Sequence, residues 1–94
     1  MESVELVDVL RALSDPTRLQ IVRVLGDGKP HSKNIAEWGL DVQKSALAYH
    51  FKELREAGVT NTLVHGRMHE IQLRREELDA KFPGLIQALI AAQS

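Results

Sequence analysis

Between Lys44 and Gly58 the chain reads KSALAYHFKELREAG, and Leu47, Phe51 and Leu54 recur at i, i+4 and i+7. At about 100° per residue that spacing makes one apolar stripe along a helix, with Ser45, Tyr49 and Lys52 pointing the other way. Gly58 closes the segment as a C′ residue. Val4 to Leu13 is apolar at positions 4, 6, 7, 9, 10 and 13, a helix with a stripe wider than a small core uses. Asp15 as N-cap and Pro16 at the first helical position open a second helix through Leu25, with Leu19, Ile21, Val22 and Leu25 turned inward. Gly26, Gly28 and Pro30 end it. Ser32 caps a short third helix to about Trp38, carrying Ile35 and Ala36 inward, and residues 39–43 turn the chain into the 43–57 helix. Two helices joined by such a turn form a helix-turn-helix.

After Gly58 the period changes. Val59 to Val64 and Met68 to Leu73 are rich in β-branched and apolar residues and flank His65, Gly66 and Arg67, which predicts a hairpin. A hairpin straight after a helix-turn-helix is a wing. From Arg75 the helical period returns, with Glu76 and Glu77 at an N-terminal turn and Leu78, Phe82, Leu85, Ile86, Leu89 and Ile90 at helical spacing. Pro83 predicts a break after about Lys81 and a terminal helix with the proline in its first turn. The expected fold class is mostly α with a small β-hairpin, a single winged helix-turn-helix domain over 1–94.

Composition narrows the function classes. The chain has 94 residues, no cysteine and 44% hydrophobic residues, one small domain that buries about 60 to 65 per cent of its unfolded surface. No run approaches the roughly 18 apolar residues of a membrane span, and the acidic, amphipathic N-terminus is unlike a signal peptide. Absence of cysteine excludes disulfides and thiolate metal sites and fits a cytoplasmic protein. Catalysis lacks its parts: there is no nucleophile beside a base and no glycine-rich phosphate loop. Net charge is −1, yet it is unevenly spread. Residues 43–75 hold six Lys or Arg against three Glu, and the remainder holds six basic and ten acidic residues. A basic half beside an acidic half is the footprint of one face that meets phosphate.

The Lys44–Gly58 segment resembles the recognition helix of the arsenic-repressor (ArsR) family of bacterial winged-helix regulators, which reads along the lines of KSTxSxHxxxLREAG. Lys44, Ser45, His50, Leu54 and the run Arg55, Glu56, Ala57, Gly58 match. A second anchor, ALSDPTRL from Ala12 to Leu19, is similar to the family's opening phrase. The resemblance covers Ala12 to about Leu85. It implies a homodimer joined through the N- and C-terminal helices, with Leu6, Leu10, Leu85, Leu89 and Ile90 at the interface, and two recognition helices in successive major grooves. Apolar surface on the terminal helices calls for burial independently, either across a dimer or within one monomer.

Departures from the family pattern matter too. Ala46 and Ala48 stand where hydroxyl residues are common, which alters specificity more than binding, since alanine can meet a thymine methyl. The family's cysteine motif and its C-terminal-helix Asp and His pairs are both missing, so no metal or other cofactor is expected at either place. His65 and His69 could face each other across the hairpin near Glu70, but two histidines fall short of a specific metal site. With Arg67 they read better as wing-tip donors to phosphate or minor groove. His50 is open between a phosphate contact and helix packing, Tyr49 between a DNA contact and a surface tyrosine, and Trp38 between core and a cover for the turn.

These observations point to a sequence-specific DNA-binding regulator, a homodimeric repressor on an inverted repeat. Gln43, Lys44, Ser45 and Tyr49 are expected to read the major groove, His50 and Lys52 to hold backbone, and His65 and Arg67 on the 59–73 wing to hold flanking DNA. Two rivals remain at this stage: a winged-helix module that grips another protein, supported by Glu53 and Glu56 on the helix, and a DNA-binding subunit whose sensor is a protein co-regulator.

Overall fold

A computed structural model describes residues 4–34 and 38–92. Helix α1 (Leu6–Leu13) and helix α2 (Pro16–Leu25) are joined by Ser14 and Asp15. The Ser14 hydroxyl donates to the Arg11 carbonyl at 2.7 Å and closes α1. The Asp15 carboxylate accepts from the backbone N–H of Thr17 at 2.8 Å and of Arg18 at 3.1 Å, while Pro16 occupies a position that needs no donor. The chain then forms β1 (His31–Ser32), helix α3 (Lys44–Glu56), strands β2 (Thr60–His65) and β3 (Met68–Leu73), and helices α4 (Arg75–Lys81) and α5 (Leu85–Ala91).

Gly58 ends α3 as expected, through a Schellman motif. Its φ is 85°. Val59 N–H donates to the Leu54 carbonyl at 2.9 Å and Gly58 N–H to the Arg55 carbonyl at 3.0 Å, the 6→1 and 5→2 pair of that cap. The reversal feeds the chain directly into β2, so the hairpin starts where α3 stops. At its tip, Gly66 takes φ 62° while Arg67 stays at negative φ, the pattern of a two-residue hairpin loop.

Helices α1 to α5 and one face of the sheet enclose the core. Val9 of α1, Ile21, Val22 and Leu25 of α2, Leu47, Phe51 and Leu54 of α3, Ile71 of β3, Leu78 of α4 and Ile86 of α5 are all buried. Alternation along the hairpin, with Thr60, Ile71 and Leu73 buried and Asn61 exposed, is what a half-buried antiparallel ribbon requires. Helix α5 lies against the end of α2: the Ile90 side chain occupies the space a Cβ on Gly26 would need. Arg23 caps the far end by donating to the Ala92 carbonyl at 2.9 Å, satisfying one of the orphan carbonyls of α5.

Several expectations are corrected. Helix α1 begins at Leu6 rather than Val4; the Val4 side chain instead lies over Gly58, and its carbonyl accepts from Lys81 Nζ at 2.7 Å. Leu19 is half-buried, because it lies outside the α2 stripe that meets the core. The Ser32 hydroxyl accepts from the Asn34 N–H at 3.1 Å, the bond a helix cap makes. Ser32 itself lies in a short strand that the period gave no sign of, paired with Glu70 as His31 pairs with Ile71, which makes β3 the centre of a three-stranded β1-β3-β2 sheet. Of the predicted third helix from Ser32 to about Trp38, residues 35–37, including Ile35 and Ala36, lie outside the described residues. Pro83 sits ahead of α5 rather than in its first turn. Phe82, at φ −130° and ψ 74°, is out of the helical region before the proline, and Gly84 in the left-handed region (φ 83°) is the N-cap.

Candidate nucleic-acid interface

Helix α3 places its buried stripe on the core and its polar side outward. Lys44, Ser45, Ala48, Tyr49 and Lys52 are exposed, as is Gln43 at the N-cap. Gln43 makes no side-chain cap bond and the first turn holds no acidic residue. The leading N–H groups and the positive end of the helix dipole are thus left for an external anion, with Lys44 and Ser45 beside them.

Two side chains of α3 are tied down. The Tyr49 hydroxyl donates to Glu53 Oε1 at 3.1 Å, one turn along. This hydrogen bond, with the Glu53 charge, raises the Tyr49 phenol above its ordinary 10.0. His50 is half-buried, and its Nδ1 accepts from Arg18 Nη1 at 3.0 Å. Arg18 also donates through Nε to the Ala12 carbonyl at 2.5 Å, so one guanidinium joins α1, α2 and α3. Beside it, burial pushes the Asp15 carboxyl up, but the N–H groups of Arg18 and Thr17 and the nearby His50 and Arg18 outweigh this and hold it below 3.8. His50 is thereby joined to the ALSDPTRL segment through Arg18.

Trp38 is 2% exposed, donates from Nε1 to the Ser32 carbonyl at 3.1 Å, and stands between His31 and Phe51, with ring centroids 5.6 and 5.3 Å away. It is core, bracing the buried side of α3 against β1. His31 in turn pairs with the Asp27 carboxylate at 2.9 Å, a contact the sequence reading missed because β1 itself was missed.

On the wing, His65 and Arg67 are exposed. The register pairs His65 with Met68 and Val64 with His69. Side chains alternate along a strand, so His65, Met68 and Glu70 share one face and His69 lies on the other. His65 Nε2 is 3.3 Å from Glu70 Oε1. The two histidines therefore do not face each other across the hairpin. Among the described residues no three His, Asp or Glu side chains are grouped to hold a metal ion.

The predicted interface residues fall into two sets. Leu6 and Leu10 of α1 are 44% and 46% exposed, with Val7 beside them at 63%. Leu85, Leu89 and Ile90 are half-buried and packed on the core of the same chain, so α5 spends much of its apolar face within the monomer. Among the described residues no helix is long and apolar enough to cross a membrane.

A family described as a helix-turn-helix domain matches residues 13–62. The chain is 37% identical over 82 residues to the HTH-type transcriptional regulator YceK of Bacillus subtilis, covering 86% of this chain and 82% of that protein. It is 33% identical over 75 residues to the arsenical resistance operon repressor of Staphylococcus xylosus, covering 80% and 71%. Among solved structures, the ArsR-like transcriptional regulator from Rhodococcus sp. RHA1 superimposes with a TM-score of 0.70 at 28% identity, over 86% of this chain and 76% of that one. These are transcriptional regulators, a class that is not enzymatic. With LSDPTRL and KSALAYHFKELREAG both inside the matched region and the hairpin following the second, the chain belongs to the ArsR family of winged helix-turn-helix transcriptional regulators.

Proposed function

We propose that this regulator is a homodimeric repressor of the cytoplasm that binds an inverted-repeat operator, with residues 1–94 acting as one DNA-binding domain. The observation that carries the reading is the open N-terminus of α3. Gln43, Lys44 and Ser45 stand exposed around unsatisfied N–H groups on a helix whose other side is locked in the core. Gln43, Lys44, Ser45 and Tyr49 read the major groove, Lys52 holds backbone, and His65 and Arg67 on the wing hold the flanking DNA. His50 contributes by fixing α3 on Arg18. The exposed Leu6, Val7 and Leu10 of α1 support pairing with a second copy, and two-fold symmetry in the protein then calls for two-fold symmetry in the operator.

The test is a titration of duplex DNA carrying the operator with the Lys44→Ala and Arg67→Ala variants over a range of salt. Each substitution is expected to weaken binding by about five- to tenfold at physiological salt and to flatten the dependence of log K on log salt by about one unit, as loss of one phosphate contact does. Unchanged affinity and an unchanged salt slope in both variants would overturn the assignment of these contacts.

A further inference from the structure

The Tyr49 hydroxyl has one proton, and the structure commits it. The phenol oxygen lies 3.1 Å from Glu53 Oε1, with Tyr49 as the donor. A hydroxyl is one donor and two acceptor lone pairs. Once the donor is spent on Glu53, only lone pairs remain to face outward, and Tyr49 is 55% exposed on the polar side of α3. Glu53 is itself half-buried, which limits the rotamers from which it holds the proton. The carboxylate also keeps the phenol protonated, since it raises rather than lowers the ordinary titration point. An acceptor-only oxygen is repelled by phosphate oxygens. In the major groove it is also repelled by the O6 and N7 of guanine and the O4 of thymine, and it is attracted to the amino groups of adenine N6 and cytosine N4.

Resting on the DNA-binding reading above, we infer that Tyr49 is a specificity-determining residue that accepts a hydrogen bond from the exocyclic amino group of adenine or cytosine in each half-site, with Glu53 as its positioning residue. Every base pair shows one such amino group in the major groove, on one strand only. The pair Tyr49–Glu53 therefore selects which strand carries the amino base: A or C facing Tyr49 is accepted, T or G is disfavoured. Ala46 and Ala48 add no hydroxyl that could donate instead. A tyrosine without its carboxylate partner would donate as readily as accept and would lose this preference.

The experiment selects binding sites from a randomised duplex pool with the wild-type protein, Tyr49→Phe and Glu53→Ala, each first matched for helix content and thermal midpoint. Wild type is expected to enrich one repeat containing a half-site position restricted to A or C on one strand. Tyr49→Phe keeps the ring and its packing on His50 but loses the acceptor, so that position flattens, with about three- to tenfold weaker discrimination, and the rest of the repeat stays. Glu53→Ala frees the proton, and the same position then admits G or T. An enriched repeat identical for wild type and Tyr49→Phe would overturn the assignment of Tyr49 while leaving DNA binding intact. A Glu53→Ala variant that binds all duplexes more tightly, with base preferences unchanged, would show only the loss of a repulsive charge and overturn the role of Glu53. If wild type enriched nothing, the DNA-binding reading itself would fall, and this inference with it.

Discussion

Gly58 shows how one residue couples a helix end to the rest of the fold. Its φ of 85° lies in the left-handed region, where a side chain is strained, and a Cβ there would meet Val4 Cγ2 at 2.8 Å. Gly58→Ala is therefore expected to destabilise the protein by about 1–3 kcal/mol, read as a lower urea midpoint with an unchanged slope. Substitution of Gly66, also at positive φ but with open space around it, lacks the second cost. The conformational demand at Gly58 was legible in the sequence, because a glycine after a helical stripe is a cap signal. The contact with Val4 was not, since it joins residues more than fifty positions apart. The same holds for His50: its place beside the apolar stripe was legible, but its partner Arg18 was set by how α2 crosses α3. Tyr49 was singled out from the sequence as a groove-facing side chain. Its direction of hydrogen bonding follows only from the Glu53 contact one turn away.

Element boundaries followed the strength of their local signals. Asp15 and Pro16 marked the start of α2 correctly because the cap is a purely local device. Asp15→Ala is expected to cost about 1 kcal/mol in chemical denaturation. The sign of its pH dependence follows from the bonds that hold its carboxyl below 3.8 when folded. The stabilisation is fully present above 3.8 and fades as the pH falls through the lower folded value. The gap between the parent and Asp15→Ala should narrow on acidification over that interval, while Asp15→Asn keeps much of the cap without the titration. Persistence of the full gap in acid would contradict the assignment. Strand β1 lacked a local signal: two residues carry no period, and they are extended because β3 offers an unpaired edge at Glu70 and Ile71. Pro83 did mark a break, but Gly84 takes the cap, which displaces the start of α5 by two residues from the proline.

Across the whole molecule, the two terminal helices divide their apolar surface unequally. Helix α5 lays Ile86 and Ile90 on its own monomer, whereas α1 leaves Leu6, Val7 and Leu10 outside. Leu10→Glu is accordingly expected to halve the mass seen in sedimentation while leaving the helix content and core intact, and to weaken operator binding through loss of the paired half-site. A substitution at Ile90 should instead lower the thermal midpoint of the monomer fold, because its side chain lies against Gly26. The winged architecture, helix α3 with its exposed polar side, and the wing were legible from periodicity and two motifs. The division of labour between α1 and α5 was not, because both carry similar stripes and only tertiary packing distinguishes them. If two copies present α3 to a symmetric site, bound sequences selected from a randomised duplex pool with the purified protein carry that symmetry. An inverted repeat whose half-sites are about one helical turn apart is the predicted result, and a folded, dimeric protein that enriches no sequence would contradict it.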